Sequence, residues 1–225
     1  MTSILDQIWF PLFLSLWIAF ISSILVLCSG VVIAYIFARF NFRGKELAEL
    51  LVTLPLVLPP TVIGYLLVIL VGKKGFLGHL IFSFLGTGIM FTWQAAVIAA
   101  YTVSLPLMVR TAQAAIEAVD KEFEYTAYIL GRSEIETAFL ITLPLAKKGI
   151  LAGLVLSFAR AIGEFGATLM VAGNIPGKTN TMSISIYNAF QSGNNELAQM
   201  LVLILILMSL LAIALTGKFV GKLEV

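Results

Sequence analysis

The run from Ile8 to Ala38 contains no acidic or basic residue, and that single feature leaves few folds open to the chain. A signal-peptide core is about 7–15 residues long and follows a basic leader. Here the run is far longer, and the residues before it (Met1–Gln7) carry no lysine or arginine. The segment therefore reads as a retained first membrane span. Four further stretches are long and apolar enough to cross about 30 Å of hydrocarbon as helices. They are Leu47–Val71, Ile89–Val109, Gly149–Gly173 and Leu197–Thr216. A sixth apolar piece, Met182–Phe190, is too short to cross and reads as a re-entrant or interfacial helix, or as an extension of a neighbouring span.

Composition agrees with lipid as the solvent. Hydrophobic residues make up 60% of the 225 and charged residues 12%, too little polar surface for a water-soluble domain of this size. The predicted fold class is thus an all-α polytopic membrane protein with five full transmembrane helices plus one short helix, or six spans if that helix crosses. Residues 1–225 form one transmembrane domain, and residues 111–147 form a cytoplasmic loop within it.

The basic residues set the orientation. Arg39, Arg43, Lys45, Arg110, Lys121, Arg132, Lys147, Lys148, Lys218 and Lys222 fall on one side if five spans alternate, and they are ten of the fourteen. Lys73, Lys74 and Lys178 fall on the other, with Arg160 inside span four. The N-terminus is expected outside and the C-terminus in the cytoplasm of a multi-pass protein of the cell membrane.

Several function classes drop out early. One cysteine (Cys28) and one histidine (His79, in the second outer loop) exclude a disulfide framework and His- or thiolate-based metal sites, and no acid–base or nucleophile constellation forms. A net charge of +2 does not suit nucleic acid. Gly177-Lys178-Thr179 is not a phosphate loop, because Ala172 stands where the first glycine belongs. An ion-coupled carrier would need acids in several spans and an internal repeat, whereas Glu164 is the one acid well inside a span. No catalytic residue, cofactor or metal ligand is expected in this chain.

Three places could carry function. In the cytoplasmic loop, Tyr125-Thr126-Ala127 forms a helical turn, Gly131 ends that helix, and a second helix runs toward Pro144. Pro55, Pro59 and Pro60 must bend or unwind span two, either as a kink set by packing or as an element lining a pathway. Arg160 and Glu164, four residues apart on span four, form a buried ion pair, structural or facing a water-filled path. Glycines at 149, 153, 163 and 166 suggest that span four is central.

The loop resembles the Glu-Ala-Ala loop of ABC importer permeases. Gly131, Ile141, Leu143 and Pro144 match its spacing, while Tyr125, Thr126 and Ala127 stand at the three leading positions and Glu124 comes one place early. The stretches Leu54–Gly78 and Ser157–Phe190 resemble the molybdate and tungstate branch of that family, with sulfate permeases a poorer fit. The resemblance implies an importer permease that alternates between inward- and outward-open forms. It implies a homodimer, two ATPase subunits that hold ATP and magnesium, and a soluble oxyanion-binding protein. It assigns ATPase coupling to Glu124, Tyr125, Thr126, Ala127 and Gly131. It places the pathway or gate at Pro59, Pro60, Thr61, Glu164, Met182 and Tyr187.

Overall fold

A computed structural model of the chain describes residues 4–73, 75–86 and 88–221, and the residues described are helical or in turns and links, with no strand among them. Lys74 and Lys222 lie outside the described residues.

Three helices are each long and apolar enough to cross a membrane alone: α1 (Ile4–Arg39), α5 (Trp93–Glu117) and α12 (Asn195–Gly221). The second expected span is instead two helices, α2 (Lys45–Val57) and α3 (Pro60–Val71), set at 119° to one another. Proline explains the break. Pro60 has no N–H to donate and takes the first position of α3, and Pro59 precedes it with ψ at 138°, outside the helical region. The fourth expected span is also two helices, α9 (Lys147–Ile162) and α10 (Gly166–Ala172), interrupted at Gly163–Phe165. The stretch Met182–Phe190 is a short helix, α11 (Met182–Gln191).

His79, expected in the second outer loop, lies instead on a helix, α4 (Phe76–Leu85). Its ten residues are too few to span, and Gly86, in the left-handed region at φ +67°, caps its end.

The central helix is α5, the most buried of the three long ones, rather than span four. Its small residues Ala95, Ala96, Ala99, Ala100 and Ala112 are all buried and let neighbours approach. The glycines of span four serve the same purpose from the other side. A side chain at Gly153 would press on Met108 and Thr111, and one at Gly149 on Ala115. Gly30 of α1 likewise sits against Met108. Polar contacts cross this packing too, from Ser157 Oγ of α9 to the Ser104 carbonyl of α5 at 3.1 Å and between the Ser29 and Tyr101 hydroxyls of α1 and α5 at 3.0 Å.

The core divides into two clusters along the length of the bundle. One cluster joins the first half of α1 (Leu14, Ile18), α3 (Ile63, Leu67), the first half of α5 and α10. The other joins the last turns of α1 (Ala34, Phe37) and of α5 (Met108, Ile116) to Ala146. The ends of α1 and α5 that the basic-residue bias assigns to one side thus pack together at one end of the bundle.

Candidate functional site: the elbow and the broken spans

After α5, the chain forms α6 (Lys121–Ile129), whose first turn is capped by the Asp120 carboxylate accepting from Glu122 N at 3.0 Å. Gly131 ends α6 at φ +80°. Gly131 N bonds the Tyr128 carbonyl and Arg132 N the Ala127 carbonyl, both at 3.0 Å, the paired bonds of a Schellman turn. Two residues later Ser133 and Glu136 cap each other at the start of α7 (Glu134–Thr137). The Ser133 backbone N–H, and then its hydroxyl, hold the Glu136 carboxyl below its ordinary value. Both sides of the turn are therefore pinned, and the reversal at Gly131 is a stiff elbow. From α7 a π-helical turn (Ala138–Thr142) and a short α8 (Leu143–Leu145) lead into α9.

The side chains around this elbow sort into two faces. Tyr125 and Thr126 point outward, and so do Ile129 (85% exposed), Leu130 (77%) and Ile135. Large apolar groups grouped on a segment outside the spans mark a contact surface. Glu124 and Ala127 instead face the helical body, and both are buried. The five residues assigned to coupling are thus divided: Tyr125, Thr126 and Gly131 lie on the outer side, Glu124 and Ala127 on the inner side. Tyr128, between the faces, has its phenol pushed up by burial and by the carboxylates of Glu124 and Glu134.

Glu124 has partners that no spacing in the sequence announces. Its Oε1 accepts from Arg39 Nε at 2.8 Å and from Thr142 Oγ1 at 2.6 Å. Arg39 is the last residue of α1, so the contact links the first span to the loop after the third.

At the other break, Glu164 is buried and its Oε2 lies 2.7 Å from Arg160 Nη1, the ion pair expected from their spacing. Its Oε1 accepts from Ala167 N at 2.8 Å. The carboxylate therefore satisfies an amide freed by the interruption and places negative charge at the start of α10. Oε1 is held by the amide, and Oε2 faces the charge of Arg160 without accepting a hydrogen bond, which suits a fixed structural role at the break.

Around Phe165–Gly166 the expected pathway residues gather. Gly166 lies against Pro60 and Thr61, and Gly64 against Ala167 and Met170, so α3 and α10 cross glycine to backbone. The Phe165 ring packs on Tyr187 of α11 with centroids 5.2 Å apart. Pro59, Pro60, Thr61 and Tyr187 are exposed on this chain. Met182 does not join them. It is fully buried, and its N–H donates to Ser15 Oγ of α1 at 2.8 Å, fastening the start of α11.

The chain is similar in sequence and in fold to known transport proteins. Residues 30–224 match the family of binding-protein-dependent transport system inner membrane components. The chain is 41% identical over 191 residues to the molybdenum transport system permease protein ModB of Escherichia coli K12, covering 85% of this chain and 83% of that one. It is 42% identical to ModB of Haemophilus influenzae, over 90% of this chain and 89% of the relative. A sulfate transport system permease, CysT of Salmonella typhimurium, is 34% identical over 86% of this chain and 69% of its own length. In structure, the chain resembles the MetNI methionine ABC transporter in inward-facing conformations, with a TM-score of 0.75, 13% identity and full coverage of both chains. A bacterial alginate ABC transporter aligns at a TM-score of 0.79 and 13% identity, over 97% of this chain and 80% of the other. The fold, the long apolar helices and the match over most of the sequence identify the chain as an integral membrane permease of the binding-protein-dependent (ABC) transport family.

Proposed function

We propose that this chain is the membrane half of an ATP-driven importer that takes molybdate, or the like-shaped tungstate, from a soluble binding protein into the cytoplasm. The observation that carries the reading is 41–42% identity to molybdenum transport permeases over most of both chains. The sulfate relative is more distant, which puts sulfate second. The family match displaces the ion-coupled carrier as an alternative.

In this reading the protein sits in the cell membrane and works as a homodimer with two ATPase subunits, which hold ATP and its magnesium. The outer face of the elbow docks each ATPase. Closing of the ATPase pair moves α6, and the spans turn from inward-open to outward-open. The exposed Pro59–Thr61 segment and Tyr187 then line a path between the two copies. Residues such as Val57 and Tyr65, left exposed on one chain beside that break, support a second copy as the missing wall. The mass of the detergent-extracted complex checks this, with two permease chains per assembly expected and a stable, active one-to-one assembly against it.

Reconstitution tests the substrate. With its cognate ATPase and binding protein in proteoliposomes, ATP hydrolysis should rise with molybdate or tungstate and less with sulfate. Stimulation by none of the three would overturn the assignment. Topology has its own check. In a Cys28→Ala background, Lys178→Cys should react with an impermeant maleimide in intact cells. Lys121→Cys should react only after permeabilisation, as expected if the basic elbow is cytoplasmic.

A further inference from the structure

Three elements meet on one buried carboxylate, and a fourth is tied to its arginine partner. Besides the two bonds to Glu124 Oε1, Arg39 Nη2 donates to the Val119 carbonyl at 3.1 Å. Arg39 ends α1, Val119 lies in the link between α5 and α6, Glu124 is on α6, and Thr142 closes the π-helical turn that leads into α9. The Arg39 and Glu124 side chains are 8% and 7% exposed, so the charge pair is withdrawn from water.

The attachment of α6 to the body is otherwise thin. Its buried residues are Glu124 and Ala127, and Ala127 offers only a methyl contact. Among the described residues, no other side-chain hydrogen bond or ion pair joins α6 to the helices it rests on. An apolar contact can slide under load. A buried, charge-assisted pair holds a fixed direction and is costly to open, because either partner left alone is an uncompensated buried charge. The turn that supplies Thr142 is π-helical, a geometry that often marks functional places within helices.

We propose that the Arg39–Glu124–Thr142 junction is the joint through which displacement of α6 reaches α1 and α9. Glu124 is then a positioning residue on the span side of the elbow, not a contact to the ATPase. The proposal rests on the reading of the chain as an ATP-driven importer permease.

The test uses the full complex in proteoliposomes and compares Thr142→Val with Thr142→Ser. Valine keeps the volume and removes the hydroxyl, while serine returns it, and neither leaves Glu124 without Arg39. The valine complex should hold its ATPase and hydrolyse ATP within twofold of wild type while molybdate uptake falls at least tenfold. The serine complex should import within threefold of wild type. A second readout needs no substrate. With Cys28 replaced by alanine, ATP should change the maleimide reactivity of Thr61→Cys in the serine complex and leave it unchanged in the valine complex. An equal ATP response in both, or hydrolysis and uptake falling together in proportion, overturns the joint. So does loss of the ATPase from the valine complex, which would make Thr142 a folding residue. A wild-type complex that imports no oxyanion defeats the functional reading instead, and the Thr61 labelling still decides the joint.

Discussion

Replacing Ile129 and Leu130 together with aspartate is expected to release the ATPase and abolish uptake while leaving the helical body folded. These two side chains are the most exposed apolar groups of the elbow and make no contribution to the core. Burying a leucine or isoleucine in a partner is worth about 1.5–3 kcal/mol. Two lost contacts, with two carboxylates to desolvate, should weaken docking at least a hundredfold, since about 1.4 kcal/mol is a factor of ten. Thermal unfolding of the isolated permease should barely move, because surface substitutions cost about 0.5 kcal/mol or less. Ala127→Asp should behave in the opposite way. Ala127 is 3% exposed and faces the body, so a charge there destabilises the fold before it touches a partner. Pull-down of the ATPase and detergent melts on both variants separate the two effects. An Ile129/Leu130 variant that retains its ATPase and imports normally would move the docking face elsewhere.

That division of the elbow shows what the sequence could and could not reveal. A glycine directly after a helical turn located Gly131 and the two flanking helices, whereas the caps that pin them, Asp120 before α6 and Ser133 with Glu136 at α7, appear only in the structure. Spacing located the Arg160–Glu164 pair, since residues four apart on a helix must share a face. It did not reveal that Glu124 faces inward. That depends on Arg39, 85 residues earlier, and on how α1 packs against the end of α5, which no local pattern records. Apolar runs located the membrane-spanning stretches but not their shape: three are single long helices, and the other two expected spans are broken. Hydropathy reports solvent preference, so α2 with α3 and α9 with α10 each read as one span although proline and a Gly163–Phe165 interruption break them. Glu164 was legible as a costly charge at depth, whereas its service to the Ala167 amide appears only once α10 is seen to start there. The helix at 76–85 was missed for a related reason, being apolar but too short for the span criterion.

Gly64 carries the last prediction, and Gly131 is its control. A Cβ built on Gly64 would lie 2.6 Å from Met170 Cβ and 2.9 Å from Ala167 Cα, closer than real atoms approach. Neither atom can rotate out of the way, since a Cβ moves only with its backbone, and the α10 backbone is held by Glu164 at its first turn and by Gly166 resting on Pro60. Gly64→Ala should therefore push α3 off α10 and cost about 1–3 kcal/mol, and Gly64→Val more. For a chain of this size that is a drop of roughly 2–4 °C in melting temperature per kcal/mol. Uptake should fall steeply, because the same crossing sets Pro60 and Thr61 against the Glu164 break. Gly131→Ala faces a different penalty. Nothing lies within 4 Å of its would-be Cβ, so the cost is only the left-handed φ of +80°, about 1–2 kcal/mol. That strain falls on the elbow and not on the spans. Melting should thus be lowered most by Gly64→Val, and Gly131→Ala should lose ATPase-driven uptake with a smaller change in melting. Equal melting of the Gly64→Val variant and the wild type would mean that α3 and α10 do not cross at this contact.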